Sequence, residues 1–205
     1  IDLIAKPDRI ATYDERVFTF TLSTSGVTVD SVDISGFDLP APGEPVNPNG
    51  LTYAPEFTLH DGQDVIYLID RETLSIFRWS LAEQKYLTSW PLLVPPTWAT
   101  YSVAQQRLYV GLPNGKISYF DTTAETPIET HFGSLPGTIS GLLAAGNYLF
   151  ATDNSGAWAT HYSFAADGSL LNSYEGAYTG QSYVWNPTTE RVYLSGYNNS
   201  LIWRE

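Results

Sequence analysis

The residues able to do acid–base or metal chemistry are sparse in this chain. His60, His131 and His161 are its only histidines, and there is no cysteine. His60 is followed by Asp61 and Asp64, residue types that suit a metal ligand set or an acid–base pair. The same stretch, His60-Asp61-Gly62-Gln63, contains Asp-Gly, which is ordinary turn chemistry, and a turn between two strands explains it more simply. His131 and His161 fall in separate strand-like runs. Without cysteine there is no thiol nucleophile, no thiolate metal site and no disulfide. No HExxH, GxSxG, P-loop or EF-hand pattern occurs. The expectation is a protein with no catalytic residue, no metal and no cofactor.

Planar and amide side chains are better represented. Trp98, Tyr178 and Gln181, with Asn114, Asn154 and Asn198, are the residue types that hold apolar sugar faces and peptide segments. They are far apart in sequence, so an architecture must bring them to one surface.

That architecture is a repeat. In Arg107 to Thr122, RLYVGLPNGKISYFDT, a β-branched and aromatic run leads through Pro113-Asn114-Gly115 into a second such run. Asn and Gly accept the positive φ of tight hairpins. Similar hairpins begin at Arg16, Val65, Tyr148 and Arg191. Aligning Phe18, Tyr67, Tyr109, Leu149 and Tyr193 gives spacings of 49, 42, 40 and 44 residues. A period near forty with strand–turn–strand content predicts a β-propeller of four-stranded blades.

Each hairpin needs a strand on either side. Ile10–Tyr13, Leu51–Tyr53, Trp98–Val103, Ile139–Leu143 and Gln181–Trp185 are the expected innermost strands. Lys85–Trp90, Pro127–Phe132 and Ser169–Tyr174 alternate apolar and polar, as half-exposed outer strands should. The last hairpin lacks an outer strand, and Ile1–Ala5 is a strand without a hairpin. Pairing the two would close a ring and remove exposed edges. The prediction is an all-β, five-bladed propeller in a single domain, 1–205. Its blades are 7–46, 47–93, 94–135, 136–176, and 177–205 completed by 1–6. Trp79, Trp158 and Trp203 recur on third strands and are expected in the core between blades. Residues 36–50, rich in Pro and Gly, explain the long first spacing as a connector.

The formal charge is −12. A phosphate-backbone binder needs a basic stripe, and Lys6, Lys85 and Lys116 are scattered, so nucleic acid and anionic membranes are poor partners. Acidity suits solubility in extracellular media, and the expected location is extracellular, periplasmic or at the cell surface. No apolar run is long enough for a membrane-spanning helix. The chain does not start with Met and contains none, so it is expected to be cleaved or part of a longer protein or assembly.

In a propeller, the links between blades share one face with the central hairpin turns. That places Pro95–Trp98, Leu135–Gly137 and Tyr178–Gln181 beside Asn114, Asn154, Asn198 and Asn199. Trp98 and Tyr178 are expected to be more exposed than Trp158 and Trp203.

RLYVGLPNGKISYFDT and ERVYLSGYNNSLIW resemble the bacterial propeller repeats of the YVTN and quinoprotein-like type. The resemblance covers most of the chain and implies the fold, not an activity. No cofactor-ligand pattern of the quinoprotein enzymes is matched. Five-bladed glycosidases place paired carboxylates on innermost strands. Here Trp98–Val103, Ile139–Leu143 and Gln181–Trp185 contain no Asp or Glu, leaving only Asp14, Glu15 and Glu56. The expected function is non-catalytic binding of a glycan or a protein or peptide. A hydrolase and a purely structural subunit are the alternatives.

Overall fold

The computed structural model describes residues 9–13, 16–23, 26–33, 45–46, 55–156, 158–176, 179–196 and 201–204. Side chains are described over 55–156, 158–176 and 184–193, and at 18, 19 and 21. The chain forms two compact units, Ile1–Leu93 and Val94–Glu205.

Every described element is a β-strand. In the first unit, β1 (Arg9–Tyr13), β2 (Arg16–Ser23), β3 (Gly26–Asp33) and β4 (Pro45–Val46) form one antiparallel sheet in chain order. A second sheet is β5 (Phe57–His60), β6 (Val65–Asp70), β7 (Ser75–Ser80) and β8 (Lys85–Pro91). In the second unit, β9 (Trp98–Ser102), β10 (Arg107–Gly111), β11 (Lys116–Asp121) and β12 (Thr130–Ser134) form a third sheet. A fourth is β13 (Ile139–Ala145), β14 (Tyr148–Asp153), β15 (Ala159–Phe164) and β16 (Leu170–Gly176). The last has three described strands, β17 (Thr179–Asn186), β18 (Arg191–Gly196) and β19 (Leu201–Arg204). The strand expected at Ile1–Ala5 lies outside the described residues.

The apolar pattern explains which strands are central. Ile66-Tyr67-Leu68-Ile69 in β6 and Leu108-Tyr109-Val110 in β10 are buried without alternation, because both faces of an inner strand are covered. In the second unit the core is built on Tyr109, Ile117, Phe132, Leu135, Ile139, Leu142, Leu149 and Phe164. It joins the third sheet to the fourth. Phe132 bridges them, meeting Tyr109 edge-on with ring centroids 5.0 Å apart and Phe164 at 5.9 Å.

One turn recurs four times. Asp70, Ser80, Ser102 and Asn186 each end a strand, and the next strand starts five residues later. The side-chain oxygen of each accepts the backbone N–H three residues on: Thr73 at 2.9 Å, Glu83 at 3.0 Å, Gln105 at 3.2 Å and Thr189 at 3.3 Å. The fourth loop residue then takes left-handed φ: Leu74 at 52°, Gln84 at 52°, Gln106 at 50° and Glu190 at 51°. The cap supplies the local hydrogen bond that makes this conformation tolerable to a residue with a Cβ.

Two expected strand positions are corrected. A third, Leu51–Tyr53, lies outside the described residues; the first described strand of the second sheet is Phe57–His60. The outer strand of the third sheet runs over Thr130–Ser134, later than expected, because Pro127 cannot donate to a ladder. The third strand of the fourth sheet begins at Ala159, past Trp158, which was expected on it. Trp158 therefore lies in the turn, 55% exposed, and is not a core residue. Trp79, 5% exposed, is in the core and meets Tyr86 edge-on. The side chain of Trp203 lies outside the described residues.

Candidate functional site

Among the described residues the histidine and carboxylate candidates lie apart, each serving its own local contacts. His60 closes β5, with its Nε2 buried, without a hydrogen-bond partner, and 3.8 Å from Asp61 Oδ1. That Asp61 oxygen accepts the N–H groups of Gln63 at 2.7 Å and Val65 at 3.1 Å, which is turn chemistry. Asp64 accepts the Ser80 hydroxyl at 2.8 Å and the Ala82 N–H at 2.7 Å. Glu56, at the entry to β5, pairs with Arg71 at 3.2 Å. His131 is exposed on β12, and His161 on β15 shares a hydrogen bond with Thr152 Oγ1 at 3.1 Å. Asp14 and Glu15 lie outside the described residues. Among the described residues no three His, Asp or Glu side chains come together to hold a metal, and no helix is long and apolar enough to cross a membrane.

Turn capping accounts for further acids. Asp121 accepts the Thr123 hydroxyl at 2.6 Å and its N–H at 3.0 Å; these bonds hold its pKa below the ordinary value. Asp167 accepts the Ser169 hydroxyl at 2.6 Å and its N–H at 2.9 Å, with the same consequence. Carboxylates stabilised as anions are poor proton donors near neutral pH.

The loop residues give a more coherent picture. In the second unit, the link Leu135–Thr138 lies against two hairpin turns. Leu135 N–H donates to Gly115 O at 2.8 Å, and the Thr138 hydroxyl donates to Pro113 O at 2.9 Å. Gly115 has φ +77°, and a Cβ there would stand 2.3 Å from Leu135 O. On the other side, the Gly137 backbone touches the Asp153 carboxylate and Ser155, where a Cβ would stand 2.5 Å from Asp153 Oδ2. Asp153 is buried and accepts the Ser155 N–H at 2.8 Å, fixing the start of the turn that carries Trp158. The Pro-Asn-Gly turn, the 135–138 link and the 154–158 turn are thus one packed surface.

Pro113, Asn114, Pro136, Thr138, Ser155 and Trp158 are exposed on it. Lys116 is the exposed charged side chain of these turns, and Glu175, exposed opposite Thr160 near the end of β16, lies at the same end. The opposite loops of this unit carry Asp121, Glu125, Glu129, Asp167 and Glu190. A weakly charged, aromatic end and an acidic end therefore face opposite ways along the strands.

The individual expectations fare differently. Asn114 is exposed, but its Oδ1 accepts the Lys116 N–H at 3.2 Å, so part of its amide serves the turn. Asn154 is half-buried in the same surface. Trp98 is not the exposed plate expected from its place in a link. It is the first residue of β9, half-buried and packed on the core around Ile139. Tyr178, Asn198 and the side chain of Gln181 lie outside the described residues. Reading Trp158 as a strand residue missed it; the register of Phe164, opposite Leu149 as Phe120 is opposite Leu108, pushes the strand start past it.

No family model and no curated protein matches the sequence. Solved structures do. Saccharomyces cerevisiae Sqt1 matches with a TM-score of 0.65 at 16% identity, over 93% of this chain and 55% of that one. The Myceliophteria thermophila Cps50 (Swd1) β-propeller domain matches with a TM-score of 0.64 at 11% identity, over 90% and 60%. Kuenenia stuttgartiensis hydrazine synthase matches with a TM-score of 0.64 at 12% identity, over 89% and 52%. This chain spans a little over half the length of each. At such identities the likeness shows the fold alone. The fold is of the β-propeller type.

Proposed function

We propose that this chain is a non-catalytic interaction module that engages a protein partner through the loop end of its second unit. The observation that carries the reading is Trp158, an exposed aromatic on a turn anchored by buried Asp153 and packed on Gly137. A large, rigid, half-exposed ring on a fixed scaffold is the usual form of an interface anchor. The low charge around it, in a chain of net charge −12, suits an apolar or neutral partner surface. The full architecture in this proposal is a five-bladed ring in one domain of the YVTN or quinoprotein-like type. Residues 1–6 complete its last blade. The proposed location is extracellular or periplasmic, supported by the acidic, cysteine-free composition.

The test is a peptide and protein display screen with the wild type and Trp158→Ala. A binder lost by the variant at unchanged melting temperature supports the proposal. Binding confined to a glycan array would replace the protein partner with a carbohydrate one. The enzyme alternative draws on the likeness to hydrazine synthase, an enzyme by name. It needs carboxylates that β9, β13 and β17 lack.

A further inference from the structure

The outer strands of three sheets differ in one respect. Ile69, Ile76 and Trp90 are cross-strand neighbours in the second sheet, and Trp90 is 5% exposed and packs on Tyr67. In the third sheet the bulged Phe132 plays that part, at 8% exposed. The corresponding residue of the fourth sheet, opposite Thr152 and His161, is Tyr174. It is 49% exposed, with its ring lying back over Gly176. Every residue from Leu170 to Glu175 is exposed, on both faces of β16. Leu171 is the bulged residue between Phe164↔Leu170 and Ser163↔Asn172, which turns both leucines outward.

β16 is also the last strand of its sheet, and no described strand pairs with its outer edge. Exposed edges are usually blunted by lysine or proline. Leu170–Gly176 contains neither, and Asn172–Gly176 continues in regular register beyond the bulge. An edge of this kind offers a row of backbone donors and acceptors with apolar side chains beside it. Its natural occupant is an extended backbone.

We infer that β16 is a second interaction surface, distinct from the loop end, which adds an extended, basic and apolar segment of a partner as a fifth strand. Charge selects that occupant over a second copy of this chain. Glu175 lies on the strand, Asp167 lies in the loop that leads into it, and two copies of net charge −12 repel. Backbone pairing supplies the register, and Leu170, Leu171 and Tyr174 supply the apolar contact.

The probe is the capped heptapeptide of alternating lysine and valine, measured by calorimetry against the same peptide with every amide N-methylated. The two carry equal charge, so the comparison isolates backbone pairing. The expected result is at least tenfold weaker binding of the methylated peptide. Hydrogen exchange should slow at Leu170–Gly176 when the unmethylated peptide is added. Leu171→Lys should weaken binding at least tenfold, whereas Val103→Lys, an exposed charge-matched change elsewhere, should alter it less than twofold. Equal binding of the two peptides, no binding of either at millimolar concentration, or protection confined to other strands would overturn the inference. So would a dimer in sedimentation that Leu171→Lys dissolves, which would give the edge to a second copy.

Discussion

Gly137→Ala tests whether the loop end is as tightly built as the functional reading requires. The new methyl carbon would lie 2.2 Å from Ser155 Oγ and 2.5 and 2.6 Å from the two oxygens of Asp153. Ser155 is exposed and its hydroxyl can rotate away. Asp153 is 6% exposed and held by the Ser155 N–H, so its carboxylate yields only by losing that bond or shifting the turn. Overpacking of this kind costs about 1–3 kcal/mol, or roughly 2–12 °C in melting temperature for a chain of this size. Two neighbours bracket the effect. Gly115→Ala meets a backbone oxygen at 2.3 Å and must also hold φ +77°, so it should cost more, about 3 kcal/mol or above. Gly156→Ala meets nothing nearer than 3.4 Å and should be within about 0.5 kcal/mol of wild type. Denaturant unfolding of the three variants gives the order directly. A Gly137→Ala protein as stable as Gly156→Ala would refute the packing of the 135–138 link on the Asp153 turn.

Four further outcomes are expected. Trp158→Ala should leave unfolding within about 0.5 kcal/mol of wild type, because its ring is mostly in solvent; Trp79→Ala should cost about 3–5 kcal/mol. Ser102→Ala should destabilise by about 1 kcal/mol through the lost bond to the Gln105 N–H, seen as an earlier denaturant midpoint. Gln106→Gly should be neutral or stabilising by up to about 1 kcal/mol, since relief of φ 50° opposes the greater chain entropy of glycine. Asp121 and Asp167 have folded-state pKa values below the ordinary 3.8, so unfolded chains take up their protons first. Their contribution is complete above pH 3.8 and disappears as pH falls through the folded values. Asp121→Asn should flatten the loss of melting temperature in that acid window.

The repeat was legible because the third sheet spells it out. Pro113-Asn114-Gly115 puts glycine where φ is positive, and Tyr109 and Ile117 sit where their pattern places them, on buried faces. The four capped turns were harder to read, since their positive-φ positions hold Leu74, Gln84, Gln106 and Glu190 rather than glycine or asparagine. The legible signal is instead the Asp, Ser or Asn at the loop start, whose side chain substitutes for the missing turn residue. Trp158 and Trp98 departed from expectation for different reasons. Sequence spacing locates a hairpin, but the length of its turn decides which aromatic falls inside the ladder, and Trp158 precedes the start of β15. Trp98 opens β9 where the strand was expected, but its ring packs on the core around Ile139 instead of standing out from the link. The corresponding reading for Tyr178 and Asn198 rests on residues outside the described set.

The central claim is binding at the loop end without chemistry. The measurement that tests it most directly is the fate and affinity of whatever ligand the screen identifies, followed by mass spectrometry and calorimetry together. The account predicts that the ligand is recovered intact after prolonged incubation. It also predicts that Trp158→Ala weakens binding by about 2 kcal/mol or more, roughly thirtyfold, while Asp14→Asn leaves it within about 1 kcal/mol. A ligand cleaved by the wild type but not by Asp14→Asn, or one bound equally well by Trp158→Ala, would contradict it.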